Sequence, residues 1–244
     1  MQTRVAVVTG GGTGIGRAVA ATLVARGDRV AILGRRAEVL EETARELGVA
    51  WRQADVTRRD QVEAAVDWIR ADLGPVVDVL VNNAGGIDWL GDDAPLEEAE
   101  RVWDGVLGAN LKGPFLMSRA VLPHLRRPGG RIVNLSSVAA YSGRGGPYAA
   151  AKAGVVGLTY SMALDLGPEG ITVNAVAPGF IDDTEFFGGG LTEEGRQDRL
   201  RRIPAGRPGR PDEIAAAVAY LTSPEAGYVN GEVHHVNGGW LFGR

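Results

Sequence analysis

The sequence predicts an α/β fold: a doubly wound, mostly parallel sheet with helices on both faces, in a single domain over residues 1–244. Three observations predict it. Short apolar runs alternate with longer helical stretches almost throughout the chain. The short runs are continuously apolar, as expected of parallel strands covered on both faces. No linker or internal repeat divides the sequence. Crossovers between such strands are right-handed, which leads to a doubly wound sheet.

The elements follow in order. Arg4 to Thr9 reads as a buried strand. Ile15 to Arg26 reads as a helix with Ala18, Val19, Leu23 and Val24 on one face. Arg29 to Leu33 is a second strand, Ala37 to Leu47 a charged amphipathic helix, and Ala50 to Gln53 a short strand. Gln61 to Leu73 is a helix with the apolar stripe Val62, Ala65, Val66, Ile69 and Leu73. Val77 to Val81 is a strand running into Asn82-Asn83-Ala84-Gly85. Leu96 to about Leu122 is helical, with a break expected near Gly113-Pro114. Arg131 to Leu135 (strand), Tyr148 to Leu166 (helix) and Ile171 to Ala177 (strand) continue the rhythm. Thr192 to Arg202 is a polar helix. Pro211 to Leu221 is a helix opened by proline, and Glu232 to Val236 a last strand.

Bulk properties exclude several classes. Hydrophobic residues make up 45% and charged residues 23%, with a net charge of -4. No basic field points to nucleic acid or an anionic membrane. There is no cysteine, so disulfides and thiolate chemistry are excluded. No apolar run approaches the roughly 20 residues of a membrane span, and the N-terminus lacks the layout of a signal peptide. A cytoplasmic protein is expected. The 36 glycines cluster at a few points, which suits tight turns at a site.

In sheets of this kind ligands sit at the carboxyl ends of the strands. There, Thr9-Gly10-Gly11-Gly12-Thr13-Gly14-Ile15-Gly16 follows the first strand and opens the first helix. Glycines permit a sharp turn and close approach of a pyrophosphate, and a helix N-terminus favours its charge. The strict GxGxxG spacing is not met, and no Gly-Lys-Ser/Thr of a P-loop follows. At the end of the second strand the acidic residue of an NAD site is missing. Gly34-Arg35-Arg36 stands there instead. A guanidinium suits a ribose 2′-phosphate by charge and by its fork of donors. NADP(H) is therefore expected over NAD(H), with Arg35, Arg36 or both on the phosphate.

These residues resemble the short-chain dehydrogenase/reductase family in its single-domain branch. The resemblance rests on Thr9-Gly10-x-x-x-Gly14-x-Gly16, Asp55-Val56, Asn82-Asn83-Ala84-Gly85, Asn110, Ser137, Tyr148-x-x-x-Lys152 and Pro178-Gly179, in that order. It is closest in appearance to 3-oxoacyl-acyl-carrier-protein reductases and related ketoreductases. It implies a cofactor site that includes Gly10, Thr13, Gly14, Ile15 and Gly16. Asp55 is implied at the adenine with Val56 beside it, and Asn82 and Gly85 along the cleft. Pro178 and Gly179 are implied near the nicotinamide, with the Ile181 backbone on the carboxamide and Thr184 close by. Asn110, Ser137, Tyr148 and Lys152 match the family's catalytic tetrad, and Tyr148 and Lys152 are also implied at the cofactor. Dimers or tetramers of identical chains are common in the family.

The groups themselves carry a mechanism. Tyr148 and Lys152 are four apart on one helix and project from one face. A free phenol, near pKa ~10, is a poor base at neutral pH. A nearby ammonium favours the phenolate, by about one to three units. Tyr148 then donates a proton to a carbonyl oxygen as hydride arrives, or accepts one in reverse. Ser137 donates a hydrogen bond to the developing alkoxide, and Asn110 helps hold a water chain to Lys152. Ser136 replaces Ser137 if the strand register shifts by one.

The chain departs from the family pattern at two places. Ser137 and Tyr148 are eleven positions apart, closer than usual. Asp183 stands where threonine is common, with Thr184 as the substitute. Residues 184–210 match the family's mobile substrate lid, in which Phe186, Phe187 and Leu191 are apolar. Glu169 replaces a basic residue frequent in reductases of carrier-bound chains. A carrier protein is thus a weakened partner expectation, although Arg126 and Arg127 remain as a basic pair. His234 and His235 point to opposite faces of the last strand, and no catalytic metal is expected. The remaining alternatives are an NAD(H)-dependent sugar, polyol or steroid dehydrogenase, and a cofactor-binding regulator without catalysis.

Overall fold

The structure, a computed structural model, describes residues 3–91, 93–182, 186 and 191–242. Its strands are β1 (Val5–Thr9), β2 (Arg29–Gly34), β3 (Ala50–Gln53), β4 (Val79–Asn82), β5 (Arg131–Leu135), β6 (Thr172–Pro178) and β7 (Val233–Val236). Its α-helices are α1 (Gly14–Ala25), α2 (Ala37–Leu47), α3 (Arg59–Asp72), α4 (Leu96–Leu107), α5 (Gly113–Val121), α6 (Ala139–Ser142), α7 (Pro147–Leu166), α8 (Glu193–Arg201) and α9 (Pro211–Leu221).

The seven strands form one sheet in the order β3-β2-β1-β4-β5-β6-β7. Every pairing is parallel. Side chains along each strand alternate between the faces. Ala6 and Val8 pack with α1, α2 and α9, whereas Val5 and Val7 pack with α3, α5 and α7. The doubly wound expectation is met. The strand order reverses between β1 and β4, which opens a crevice at their carboxyl ends.

The helical stretch from Leu96 does not break at Gly113-Pro114. It passes through a π-helical turn over Gly108–Lys112 and continues as α5. Pro114 has no N–H to give to the preceding turn. The wider π turn accommodates it, with the Gly113 N–H reaching the Gly108 carbonyl. At Gly113 a Cβ would lie 2.7 Å from Val56 Cγ2, so the bare backbone lets α5 close on that loop. The fourth strand also starts later than the apolar pattern indicates. Val77 makes only an isolated bridge to Leu125, and Asp78 spends its carboxylate on the Val5 N–H (2.8 Å) and on Arg126.

A buried polar ladder ties the sheet to the helices. Asn82 donates to Ser118 Oγ (3.0 Å) and Asn134 Oδ1 (2.8 Å), and Asn134 donates to Thr159 Oγ1 (2.9 Å). Asn134→Ala removes two buried hydrogen bonds, while Asn82 keeps Ser118 and Thr159 keeps the Val155 carbonyl, at a cost of about 1–3 kcal/mol. Urea unfolding checks this, as a lower midpoint with an unchanged slope.

Candidate active site

The glycine loop is held open by steric necessity. A Cβ on Gly16 would lie 2.0 Å from the Gly10 carbonyl oxygen, and one on Gly10 2.8 Å from Asn83 Nδ2. Gly10 has φ 65° and donates to the Leu33 carbonyl at 2.7 Å. Asn83 fastens the loop from β4 by donating to the carbonyls of Thr9 (3.0 Å) and Gly10 (3.1 Å). Thr9 Oγ1 accepts from the N–H groups of Asn83 and Ala84. Thr13, the residue before α1, makes no side-chain cap, so the first N–H groups of the helix face the cleft without one.

A cleft of about 1240 Å³ runs along the carboxyl ends of the strands. Gly10, Thr13, Gly14, Ile15 and Gly16 line it, as do Arg35, Arg36, Asp55 and Val56. Asp55 Oδ1 accepts from Thr57 N (2.9 Å) and Thr57 Oγ1 (2.8 Å), which fixes the turn there. Asn82 is the exception. It is buried in the ladder beneath the cleft and does not line it; Asn83 takes that place. The reason is strand periodicity: neighbours at a strand end face opposite ways.

The four residues matched to the family's tetrad come from three places: the π turn, the segment after β5, and α7. Asn110 is buried inside the π turn, donating to the carbonyls of Gly86 (2.8 Å) and Val106 (2.9 Å). A Cβ on Gly85 would lie 2.4 Å from Asn110 Oδ1 and 3.6 Å from Lys152 Nζ, so glycine alone lets this loop close over both groups. Ser136 turns inward and donates to the Lys152 carbonyl at 3.0 Å. Ser137 lines the cleft, accepts from the Ala139 N–H at 3.1 Å and hydrogen-bonds with Tyr148. Ser136 lines the cleft as well, but its hydroxyl is spent on the Lys152 carbonyl, and Ser137 is the serine that meets Tyr148. The segment after it holds the short helix α6, which the sequence pattern does not reveal.

Tyr148 and Lys152 are both buried on α7, with Lys152 Nζ 5.5 Å from the tyrosine ring centroid. The ammonium does not set the phenol's pKa here, contrary to the expectation. Burial pushes the Tyr148 phenol up to about 12, and the hydrogen bond with Ser137 only partly offsets it. Burial pushes Lys152 down to about 7, and its Nζ donates to the Leu135 carbonyl at 2.7 Å. The phenol stays protonated at neutral pH, the form a proton donor needs.

This lysine is costly to the fold. Its folded pKa is depressed, so the native state binds fewer protons than the unfolded chain between about 7 and 10.5. Its unfavourable contribution is full below about 7 and fades as pH rises through that window. Lys152→Met is expected to raise Tm by a few degrees at pH 7, and by less as pH approaches 10. Thermal unfolding across that range checks it.

Pro178 and Gly179 line the cleft at the end of β6; a Cβ on Gly179 would lie 2.8 Å from Asn237 Cα. Ile181 bridges Gly209 through the flanking Phe180 carbonyl and Asp182 N–H, which leaves its own N–H and C=O out of that ladder. Phe186 sets its ring edge-on to Tyr148 at 5.4 Å. Thr184, Asp183 and Phe187 lie outside the described residues. Trp89, Arg144, Arg199, Arg202 and Trp240 also line the cleft, although no motif marks them. Glu169 pairs with Arg127, and Arg126 with Asp78, so both arginines of the basic pair meet a carboxylate.

Among the described residues, no helix is long and apolar enough to cross a membrane. Sheet, cleft and tetrad together define an oxidoreductase of the short-chain type, and the chain belongs to the short-chain dehydrogenase/reductase family. A model of that family, described as Enoyl-(Acyl carrier protein) reductase, matches residues 10–241. The chain is 41% identical to the 3-oxoacyl-acyl-carrier-protein reductase FabG of Vibrio cholerae serotype O1, over 98% of each chain. It is 40% identical to the FabG of Escherichia coli K12, over 97% of this chain and 96% of the relative. It is 43% identical to Nodulation protein G of Rhizobium sp. N33, over the same shares.

Proposed function

We propose that the protein is an NADP(H)-dependent reductase of 3-oxoacyl thioesters or similar ketones, with Tyr148 as proton donor and, in reverse, acceptor. The observation that carries the reading is Tyr148, buried beside Ser137 and four residues from Lys152, in a cleft that also reaches Arg35 and Arg36, with burial pushing its phenol up to about 12. The residues fit the cofactor. The glycine loop leaves no space for a Cβ at Gly10 or Gly16, and Arg35 and Arg36 suit a 2′-phosphate. Gly14, Ile15 and the N-terminus of α1 would hold the pyrophosphate, and Asp55 and Val56 the adenine. Pro178, Gly179 and Ile181 would hold the nicotinamide end, where bound NADPH supplies the hydride.

The chain's own groups manage the proton. Ser137 donates a hydrogen bond to the carbonyl oxygen and orients it. Tyr148 gives its proton to that oxygen as negative charge develops. Lys152, titrating near neutrality, resupplies the phenol, and Asn110 holds the water path behind it. The segment around α8, within residues 184–210, covers the substrate. Exposed Trp103, Phe115 and Leu164 on α4, α5 and α7 support assembly into a dimer or tetramer. A carrier protein named by the relatives would find the Arg126–Arg127 surface internally paired.

A panel of carbonyls tests the reading by NADPH and NADH oxidation: acetoacetyl thioesters, quinones, sugars and cyclic ketones. The expected result is thioester reduction with NADPH preferred. Tight NADPH binding without turnover of any carbonyl would favour a regulator instead.

A further inference from the structure

Beyond Tyr148 the cleft is lined by three arginines that the mechanism does not use. Arg144 stands in the loop between α6 and α7. Arg199 lies in the last turn of α8, and Arg202 just past it. They belong to two separate segments yet line one cleft. Asp198 joins them. It pairs with Arg202 at 2.7 Å, lies 3.6 Å from Arg201, and has its carboxyl held low by these arginines and by Arg144 across the gap. One carboxylate thus faces several guanidiniums. Arg199 is half-buried, with its Nη1 on the Gly195 carbonyl at 2.9 Å; burial disfavours its charge, Asp198 partly offsets this, and Arg202 adds a smaller push against it. Arg199 and Arg202 are partly out of water and Arg144 is exposed; cations that line one cleft in this way are stabilised by an anion that arrives with the ligand. Phe186 and Trp240 line the same cleft and lower the local dielectric, which strengthens such a contact.

We propose that Arg144, Arg199 and Arg202 bind an anionic group of the substrate, a phosphate or carboxylate carried away from the reacting carbonyl. This rests on the reading of the cleft as a ketoreductase site. It narrows the substrate to an acyl chain on a phosphorylated arm or to a free oxo acid. Neutral ketones are then poor substrates through KM.

The test reads binding separately from turnover. Trp89 and Trp240 line the cleft, so quenching of tryptophan fluorescence reports occupancy of the NADPH-loaded protein. One arm compares phosphopantetheine with pantetheine. The other compares acetoacetate with its methyl ester. In at least one arm the anion is expected to bind about tenfold more tightly, as a charge-assisted contact would give. That preference should shrink to about twofold or less in Arg199→Gln and in Arg144→Gln, and persist in Arg59→Gln on α3, outside the cleft. The arm that shows it identifies the source of the anion. Equal binding within both pairs overturns the inference even if ketones are reduced rapidly. A preserved anion preference with no carbonyl reduced overturns the ketoreductase reading and leaves the anion site standing. A preference that survives both arginine variants also overturns the assignment.

Discussion

Tyr148→Phe is expected to lower the rate of carbonyl reduction by about 10²–10⁴-fold, the usual contribution of a positioned acid. The substitution removes one oxygen and keeps the ring. The ring's edge contact with Phe186 and its packing against Val102, Val106 and Ala151 remain, so the fold should hold. What disappears is the phenolic proton and the hydrogen bond with Ser137. No neighbour replaces it well: Lys152 points its Nζ at the Leu135 carbonyl, and the Asn110 amide is spent on two backbone carbonyls. Because the lost interaction is made mainly in the transition state, kcat should fall far more than KM rises. Stopped-flow loss of NADPH absorbance measures the step. An unaltered rate would sink the mechanism. A lost rate also decides between an enzyme and a cofactor-binding regulator, since the regulator has no rate to lose.

The fold was legible because burial on both faces leaves a plain mark. Strands such as Val5–Thr9 read as unbroken apolar runs, and α3 shows its stripe at helical spacing. Boundaries were less legible where a polar side chain does backbone work. Asp78 looks like strand but serves as a local acceptor, so β4 begins at Val79. Pro114 signals a break, but the helix widens into a π turn and continues, with Gly113 closely packed on Val56, a contact distant in sequence. The pairing of Tyr148 with Lys152 on one helix was legible as spacing. The pattern alone favours Ser137 over Ser136, whereas seeing that Asn83 and not Asn82 lines the cleft required knowing which way the end of β4 turns. The pKa values were not legible at all. Spacing places an ammonium near a phenol, but burial dominates both groups and only the folded chain creates it.

Charge reversal at Arg35 and Arg36 is expected to exchange cofactor preference, with kcat/KM for NADPH falling about 10²–10³-fold. A carboxylate facing a phosphate costs several kcal/mol where a guanidinium gained. The site can absorb the change. The Arg35 backbone is fixed independently of its side chain, since its carbonyl accepts from Gln53 Nε2 at 2.8 Å. Arg36 is the N-cap of α2 in extended conformation and makes no side-chain cap. Aspartate is a better residue for that position, so Arg36→Asp should not weaken the helix. Loss of NADPH use would then report the cofactor contact and not unfolding. NADH use should hold or improve, because a carboxylate at this strand end can accept from the ribose 2′-hydroxyl. Single and double variants apportion the phosphate: if both arginines share it, the two losses fall short of adding. Wild-type KM for NADPH should rise with ionic strength, and the double variant's dependence should flatten or invert. Steady-state kinetics with both cofactors at two salt concentrations measures all of this. A wild type that prefers NADH by a wide margin would overturn the role given to Arg35 and Arg36.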